Sequence, residues 1–218
     1  MVPENICELV VVRHGQTESN RTGTLQGQLN TALDQLGKLQ ARAVARRLKK
    51  RRFDLVYSSD LERAVDTANT ILKYHMELQL NTTPALREWN LGDLQGRLLK
   101  DLAVENPELM QSFRTEMPEL QIPGGESLTA FQNRISTFID TLAQEHCGKR
   151  LLLVSHGGAI QRMLRHTTGK INAPNVRPFC SNASIAVFRC KNGENWQLVT
   201  WNDTAHLEEL EQNDLLPL

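Results

Sequence analysis

Short apolar runs alternate with longer amphipathic segments along most of this chain. In the amphipathic segments apolar residues recur every three to four positions, which predicts helices with one buried face. This alternation is typical of a largely parallel sheet covered by helices, so we predict an α/β fold. The runs that predict extended segments are Leu9–Val12, Asp54–Ser58, Leu78–Thr82 and Leu151–Val154.

Capping signals predict where two of the helices begin. Asp34 is a suitable N-cap for a helix over residues 34–50, because its carboxylate can accept a hydrogen bond from the first turn. Ser59 and Glu62 have the spacing of a capping box, in which Ser59 accepts from the Glu62 amide and Glu62 reaches back. We therefore expect Arg63 in the first turn of a helix, next to the carboxyl end of the preceding strand.

Two regions depart from this alternation. Residues 96–123 are polar and are interrupted by three prolines, so we predict an inserted helical lid there. Near the end of the chain, Ser184–Arg189 and Trp196–Trp201 flank the pair Asn192-Gly193, which is typical of a β-hairpin.

Composition narrows the class of protein. The chain has 218 residues, the size of one domain, so we expect residues 1–218 to form a single unit that includes the insertion. Its 25 basic and 25 acidic residues cancel to a formal net charge of +0, so no overall field attracts nucleic acid or an anionic membrane. The basic run Arg42–Arg52 lacks interleaved aromatic residues, and a helix dipole favours cations at that position without any ligand.

The remaining compositional features point to an intracellular protein. No segment approaches the roughly 18 apolar residues of a membrane span, and the first residues do not resemble a secretory signal. The four cysteines are far apart without a C-x-x-C pair, so we expect reduced thiols and no zinc site. We therefore expect a cytoplasmic protein with no nucleic-acid or membrane partner.

Residues suited to phosphate chemistry follow three of the predicted strands. Arg13 and His14 follow the first strand, Arg63 follows the second, and His156 follows the strand at Leu151–Val154. Because the carboxyl ends of strands form the ligand crevice of an open α/β sheet, we expect these side chains to share one pocket. Guanidinium groups and the N-terminus of the helix after His156 would suit a phosphoryl dianion.

A histidine in such a pocket can act as a nucleophile. Attack by a neutral imidazole on phosphorus leaves the phosphoryl group on nitrogen, and water must remove it in a second step. Expulsion of an alkoxide also needs a general acid, which contributes about 10²–10⁴-fold to the rate. Glu88 is the leading candidate for that acid.

Five segments together carry a specific signature, in the order Arg13–Asn20 with Gln26-Gly27, Ser58–Ala64 with Thr67-Ala68, Leu86–Glu88, Pro123–Ser127, and Ser155–Gly158. Their combination closely resembles the histidine phosphatase superfamily, in the branch of cofactor-dependent phosphoglycerate mutases and their phosphatase relatives. The resemblance runs from about residue 9 to residue 206. It implies a phosphoglycerate mutase-like fold, a three-layer αβα sandwich with a mostly parallel central sheet.

The resemblance also implies roles for individual residues. His14 would be phosphorylated during turnover, Arg13, Arg63 and His156 would form the phosphate pocket, and Glu88 would donate the proton. No metal and no cofactor are implied. Further phosphate or substrate contacts would come from Asn20, Gln26, Gly27, Asn182 and Ala183, although for the last two simple turn chemistry is an equal alternative.

Two comparisons within the superfamily favour a phosphatase. True mutases usually have a basic, tyrosine-containing stretch after the acid, whereas Trp89–Gly96 has the G-D-x-x-G form of the phosphatases. The acid phosphatase branch reads RHG-x-R-x-P, but Thr17 and Ser19 occupy those positions here. The ending Trp201–Leu207 resembles that of plant mutase-like proteins and metal-independent phosphoserine phosphatases, and its His206 either touches the substrate or docks the tail.

We therefore expect a phosphoric monoester hydrolase that needs no metal and works through a phosphohistidine. Its partner would be a small phosphorylated metabolite of the phosphoserine, phosphoglycerate or sugar-phosphate type. A phosphoglycerate mutase and a non-catalytic module that binds phosphorylated ligands are the alternatives. The sequence does not identify the physiological substrate. It also does not decide between a monomer and a homodimer.

Overall fold

The computed structural model describes residues 2–115, 120, 122–169 and 178–211. Six strands form one sheet, and they are β1 Ile6–Arg13, β2 Leu55–Ser59, β3 Leu80–Thr83, β4 Arg150–Ser155, β5 Ile185–Lys191 and β6 Asn195–Asp203. Their order across the sheet is β3-β2-β4-β1-β5-β6. The first four strands in this order pair in parallel, and β5 pairs antiparallel with both β1 and β6. The mostly parallel α/β sheet predicted from the sequence is confirmed.

Helices connect the strands and cover the sheet. They are α1 Glu18–Thr22, α2 Gln35–Leu48, α3 Glu62–Leu72, α4 Leu99–Glu105, α5 Pro107–Thr115, α6 Leu128–Glu145, α7 Gly157–Thr168 and α8 Glu208–Glu211. Short 3₁₀ turns lie at Pro84–Leu86, Gly92–Leu94 and Ala205–Leu207. No helix among the residues described above is both long enough and apolar enough to cross a membrane.

Two separate hydrophobic cores lie on the two faces of the sheet. Because successive side chains of a strand point to opposite faces, Leu9 and Val11 of β1 pack into one core while Val10 and Val12 pack into the other. The first core receives apolar residues of α6 and α7, and the second receives those of α2 and α3. Helix, sheet and helix layers therefore form the expected sandwich.

The start of α2 matches its prediction. The side chain of Asp34 accepts a hydrogen bond from the Gly37 amide at 2.7 Å, as an N-cap carboxylate should. Gly37 also packs against the loop after β1: a Cβ added to Gly37 would lie 2.0 Å from the Gln16 carbonyl oxygen. The cap therefore fixes α2 against the segment that follows Arg13.

The capping box predicted at the start of α3 is wrong. Leu61 is the N-cap residue, and it makes no side-chain capping bond. The Glu62 amide donates to Asn30 Oδ1 at 2.8 Å, while Ser59 Oγ accepts from the Leu61 amide at 3.3 Å. Ser59 still belongs to β2 and lies two residues before the N-cap position, too early to cap the helix. Arg63 nevertheless lies in the first turn of α3, as predicted.

The insertion and the hairpin both have the predicted local structure. Helices α4 and α5 lie within 96–123, although residues 116–119 and 121 are outside the described residues. Strands β5 and β6 form an antiparallel hairpin, and Asn192 and Gly193 between them have φ values of 56° and 76°. Two successive positive φ values suit the right-handed twist of the strands. That the insertion acts as a lid stays a prediction.

Candidate active site

The ends of three adjacent strands bring four predicted residues together. Arg13 ends β1 with His14 after it, Arg63 follows β2 in α3, and His156 follows β4 as the N-cap of α7. Since β2, β4 and β1 are neighbours in the sheet, their carboxyl ends meet at one edge. The rings of His14 and His156 have their centroids 5.0 Å apart, and Arg63 Nε donates to His14 Nε2 at 3.3 Å. The structure thus brings these four side chains into one site.

The hydrogen bonds of His14 define its tautomer. Nδ1 lies 2.7 Å from the carbonyl oxygen of Gly15, so Nδ1 carries the proton because a carbonyl can only accept. Nε2 then holds a lone pair on the side facing Arg63. Burial, followed by the positive charges of Arg63 and Arg13, holds the pKa of His14 well below 6.5. The ring is therefore neutral at neutral pH, with Nε2 as its nucleophilic atom.

Arg63 is fixed by main-chain oxygens. Its Nη1 donates to the Leu29 carbonyl at 2.7 Å and its Nη2 to the Gly27 carbonyl at 2.8 Å. The side chain is 1% exposed, and burial lowers its pKa to about 10, which keeps it a cation at neutral pH. The guanidinium group is therefore oriented towards His14 before any ligand binds.

Arg13 approaches the same point from β1. Its Nη1 donates to the Cys180 carbonyl oxygen, whereas its Nε is buried without a hydrogen-bond partner. Gly157 makes room for this side chain, because a Cβ there would lie 3.3 Å from the guanidinium carbon. A buried guanidinium donor with no acceptor in the protein is available for an anion.

His156 is the N-cap residue of α7 and is fully buried. Its Nε2 is 2.8 Å from Ser59 Oγ, and its Nδ1 is buried without a partner. Burial, followed by the charge of Arg63, holds the pKa of His156 well below 6.5. Ser59 was missed as a site residue because its hydroxyl was assigned to a helix cap.

Glu88 is held at the N-terminus of α7. Its Oε2 accepts from the Gly158 amide at 2.9 Å, and its Oε1 accepts from the Trp89 amide at 2.8 Å. A Cβ at position 158 would lie 2.3 Å from Glu88 Oε1, so glycine is required for this approach. The indole of Trp89 stacks on Phe113 with centroids 5.2 Å apart, which brings α5 to the edge of the site.

Arg134 holds the Glu88 segment in place through hydrogen bonds and an ion pair with Glu126, which the sequence did not reveal. Arg134 of α6 donates to the Arg87 carbonyl at 2.9 Å and to the Glu88 carbonyl at 3.2 Å. It also pairs with Glu126 at 2.5 Å, and Glu126 in turn accepts from the Asn90 amide at 3.0 Å. Glu126 belongs to a recognised motif, but nothing in the sequence links Arg134 to it.

These side chains surround a cavity of about 270 Å³. Arg13, His14, Arg63 and Glu88 line it, and so do the predicted contacts Asn20, Gln26 and Gly27. The Asn20 side-chain oxygen accepts from Asn182 Nδ2 at 3.2 Å, and that of Gln26 accepts from Thr31 Oγ1 at 2.7 Å. Because the side-chain oxygens of Asn20 and Gln26 already accept hydrogen bonds within the protein, their NH₂ groups are the atoms that can donate to a ligand.

Asn182 and Ala183 lie behind the nucleophile rather than around the cavity. Asn182 Nδ2 and the Ala183 amide both donate to the His14 carbonyl oxygen, each at 3.1 Å. The Ala183 amide is therefore already hydrogen-bonded. It supports the backbone of His14 instead of making the expected phosphate contact. His206 Nε2 lies 2.9 Å from the Ala183 carbonyl oxygen, a contact that docks the C-terminal segment onto this loop.

Arg162 is a third residue, after Ser59 and Arg134, that the sequence analysis missed. It lines the cavity from α7 and is 5% exposed. Its position four residues after Gly158 puts both on one face of the helix, which is the signal that could have found it.

The described part of the chain holds no group of three or more His, Cys, Asp or Glu residues arranged to bind a metal.

A sandwich with two arginines and two histidines at its strand ends has the side chains needed to bind a phosphoryl group. The model of the histidine phosphatase superfamily (branch 1) matches residues 9–204, and the chain belongs to this family. The resemblance inferred from the motifs, together with the phosphoglycerate mutase-like fold, is confirmed.

Named relatives share nearly the full length of the chain. Phosphoglycerate mutase-like protein 4 of Arabidopsis thaliana is 38% identical over 93% of this chain and 87% of its own. A metal-independent phosphoserine phosphatase of the same plant is 36% identical over 96% and 87%. Among solved structures, a mycobacterial glucosyl-3-phosphoglycerate phosphatase superposes with a TM-score of 0.79 at 32% identity, covering 90% of this chain and 99% of that one.

Proposed function

We propose that this phosphoric monoester hydrolase cleaves small phosphomonoesters without a metal ion, by way of a phosphohistidine on His14. The observation that supports this most directly is the state of His14. Its ring is buried and neutral, its Nδ1 proton is bound by the Gly15 carbonyl, and its Nε2 lone pair faces Arg63. Such an imidazole can attack phosphorus at neutral pH without a base to remove its proton.

In the first step, Nε2 forms a bond to phosphorus while the bond from phosphorus to the alcohol oxygen breaks. Arg13 and Arg63 offset the charge of the phosphoryl oxygens. Ser59 Oγ already accepts from the Leu61 amide, so its own proton can bind His156 Nε2. His156 Nδ1 then carries the ring proton and donates it in a hydrogen bond to a phosphoryl oxygen.

Protonated Glu88 completes the first step by giving its proton to the leaving alcohol oxygen. In the second step the Glu88 carboxylate takes a proton from water as that water attacks the phosphorus of phospho-His14. Inorganic phosphate leaves, and both Nε2 and protonated Glu88 are restored. One carboxyl group therefore acts first as acid and then as base.

The proposed substrates are small phosphorylated metabolites of the phosphoserine, phosphoglycerate or sugar-phosphate type. Two of the relatives are named for phosphoserine and for glucosyl-3-phosphoglycerate. The cavity of about 270 Å³ also suits a small alcohol better than a macromolecular one.

The decisive experiment is to trap the intermediate. Wild-type protein is mixed with ³²P-labelled substrate in excess EDTA, quenched in alkali within milliseconds, and analysed for label that is stable to base and labile to acid. We expect label on His14 and continued turnover. The variant His14→Ala should take up no label, whereas His166→Ala, which alters a histidine elsewhere on the protein, should label normally. Turnover that EDTA abolishes, or that persists in His14→Ala, contradicts the proposal.

Mutase activity is the second candidate, because one relative is named mutase-like. A mutase returns the phosphoryl group to another oxygen of a retained substrate instead of releasing it to water. Incubation of 3-phosphoglycerate with 2,3-bisphosphoglycerate separates the two activities. We expect free phosphate as the main product. Formation of 2-phosphoglycerate faster than free phosphate would establish the mutase instead.

A further inference from the structure

The loop directly before β5, residues 179–184, supports the backbone of the nucleophile. Asn182 Nδ2 and the Ala183 amide each donate to the His14 carbonyl oxygen at 3.1 Å. Because His14 Nδ1 in turn donates to the Gly15 carbonyl oxygen at 2.7 Å, the imidazole ring is tied to the same stretch of backbone. The position of this support loop therefore affects where His14 Nε2 points.

The support loop also binds Arg13. The Cys180 carbonyl oxygen accepts a hydrogen bond from Arg13 Nη1, whereas Arg13 Nε is buried without a hydrogen-bond partner. A guanidinium group is planar and rigid, so one bond at Nη1 limits the directions of its other donors. A shift of the Cys180 carbonyl would therefore turn the donors that Arg13 offers to a phosphoryl group.

The C-terminal segment, residues 201–206, forms three side-chain hydrogen bonds with the main chain of the support loop. They join Trp201 Nε1 to the Phe179 carbonyl at 2.9 Å, the Ser181 amide to Asn202 Oδ1 at 2.7 Å, and His206 Nε2 to the Ala183 carbonyl at 2.9 Å. These bonds reach the first, third and fifth residues of the loop. The loop therefore connects the C-terminal segment to the two catalytic residues that it binds.

Ala183 is the point where this connection is most constrained. Its φ of 56° lies in the left-handed region, which is unfavourable for a residue with a Cβ. Such a conformation persists only where surrounding contacts enforce it, and it is found most often at functional sites. Here the Ala183 amide is bound to His14 and the Ala183 carbonyl to His206, so one strained residue lies between the nucleophile and the C-terminal segment.

We propose that the C-terminal segment is a positioning element of the phosphate pocket, in which His206 and Asn202 act through the support loop. The side chains that they orient are those of Arg13 and His14. Neither His206 nor Asn202 is among the described residues that line the cavity, so both are positioning residues. This role rests on the proposed function, because it concerns the attack of His14 on phosphorus. A misplacement of about 1 Å can lower the rate of such a step about 10²-fold.

The test measures how fast His14 is phosphorylated. With enzyme in excess over p-nitrophenyl phosphate, single-turnover release of nitrophenolate reports the first step without any need for proton donation. His206→Leu removes the donor to the support loop and should slow this step about 10- to 100-fold. His206→Gln keeps an NH₂ group that can donate to the same carbonyl, so it should recover most of the rate. A wild-type rate in His206→Leu would overturn the inference.

A second pair of variants tests Asn202 separately. Asn202→Gly removes the acceptor for the Ser181 amide but still permits the φ of 50° at this position. Asn202→Asp keeps an acceptor oxygen. We expect Asn202→Gly to release nitrophenolate about tenfold more slowly than the wild type, and Asn202→Asp to stay within about threefold of it. Equal rates in the two variants would contradict a role for the bond to Ser181.

The matched control is Arg47→Met. Arg47 Nη2 pairs with Asp203 Oδ2 at 3.3 Å, which links the same C-terminal segment to α2 instead of to the support loop. The arginine is half-exposed, and exposed ion pairs contribute little. We therefore expect the wild-type rate in Arg47→Met at a temperature where all variants are folded. A loss as large as that in His206→Leu would overturn the inference, because any loosening of the segment would then have the same effect.

Binding of inorganic phosphate separates orientation from general destabilisation. If Arg13 loses its orientation, the dissociation constant of phosphate should rise about tenfold in His206→Leu, since charge-assisted hydrogen bonds depend on geometry. In Arg47→Met and His206→Gln it should stay near the wild-type value. An unchanged dissociation constant in His206→Leu, with only a lower free energy of unfolding, would show a purely structural role and contradict the inference.

Hydrogen exchange in the wild-type protein tests the connection even if the variants do not fold. The amides of Ser181 and Ala183 donate to Asn202 and His14, so both should exchange far more slowly than in an unstructured peptide. Exchange of either amide at the peptide rate would overturn the inference. Labelling of His14 in the wild-type protein reports on the proposed function alone. If labelling succeeds while His206→Leu reacts at the wild-type rate, only the role of the C-terminal segment fails.

Discussion

Arginine side chains cluster at both edges of the sheet, but the two clusters differ in what they face. At the amino edge, Arg51, Arg150 and Arg189 all bind one carboxylate, that of Glu8, which is 1% exposed. At the carboxyl edge, Arg13 and Arg63 bind carbonyl oxygens and leave guanidinium donors directed at His14 or without a partner. The buried carboxylate of Glu8 makes the first cluster structural. In the described part of the chain Arg13 and Arg63 form no ion pair with a carboxylate, so the second cluster keeps donors for a ligand.

A cluster of arginines does not by itself indicate an anion site. Main-chain carbonyls orient a guanidinium group without cancelling its charge, whereas a buried carboxylate does both. The two edges therefore differ in the measurements that should respond to substitution. Changes at the carboxyl edge should alter catalysis, and changes at the amino edge should alter stability.

The largest effect should follow from Arg63→Met. Loss of a preorganised cation beside the phosphoryl group should lower kcat/KM by about 10³-fold or more. The matched change at the opposite edge, Arg189→Met, should leave kcat/KM within about twofold. Steady-state kinetics on one substrate compares the two. A similar loss in both variants would remove the distinction between the edges.

Glu88→Gln should have the next largest effect on catalysis. A glutamine cannot protonate the leaving oxygen, so kcat for alkyl phosphomonoesters should fall about 10²–10⁴-fold. p-Nitrophenolate leaves without protonation, so kcat for p-nitrophenyl phosphate should fall much less as long as hydrolysis of phospho-His14 is not limiting. Burst kinetics identifies the limiting step. Equal losses in the burst rates of the two substrates would exclude Glu88 as the acid.

Glu8→Gln should act on stability. It leaves three arginines around a buried neutral group, and loss of one partner from a buried ion network costs about 3–5 kcal/mol. We expect a reduced free energy of unfolding in urea, with kcat/KM unchanged at temperatures where the variant is folded. A variant as stable as the wild type would show that the network is dispensable.

The Glu8 network also predicts a response to acid. Burial acts to raise the pKa of Glu8, but hydrogen bonds from Arg150, Arg51 and Arg189 outweigh it and lower that pKa from 4.5 to about 2. A lowered native pKa stabilises the fold above the unfolded value, so about 3 kcal/mol should be lost as pH falls from 4.5 towards 2. Urea unfolding across this range measures the loss, which should be much smaller in Glu8→Gln.

The smallest expected change concerns His14. Since its pKa lies well below 6.5, its ring should stay neutral between pH 8 and pH 6. Ring ¹⁵N chemical shifts should therefore remain constant, with Nδ1 protonated and Nε2 unprotonated. A histidine-containing peptide titrating near pH 6.5 is the reference. A midpoint for His14 close to that of the peptide would contradict the buried, neutral nucleophile.

The sequence predicted the sheet and the residues that follow its strands, because both depend on short-range patterns. Apolar runs identified β1, β2 and β4, and parallel strands necessarily bring the segments after them to one edge. The position of Ser59 was misjudged for a related reason. One hydroxyl can serve either a helix cap or a histidine, and a shift of two residues in where α3 begins decides between them.

The residues that were missed depend on contacts between distant segments. Arg134 lies on α6 and binds carbonyls 46 and 47 residues away, at Glu88 and Arg87. Every residue has a main-chain carbonyl, so a sequence cannot show which carbonyls accept a hydrogen bond from a distant side chain. Only the structure reveals the hydrogen bonds of Arg134. Ala183 shows the converse: its segment was placed near the pocket correctly, but the direction of its amide depends on a φ of 56°.

The central position of β1 has a consequence for how the protein is made. β1 is the first strand to leave the ribosome, yet its partners β4 and β5 follow far later, with Glu8 opposite Arg150 and Cys7 opposite Cys190. Until those residues have been synthesised, β1 has two open edges, and its Leu9 and Val11 face lacks the covering residues of α7. The strand that ends beside the nucleophile is therefore among the last to be enclosed, and its open edges favour aggregation of the nascent chain until β5 has been synthesised.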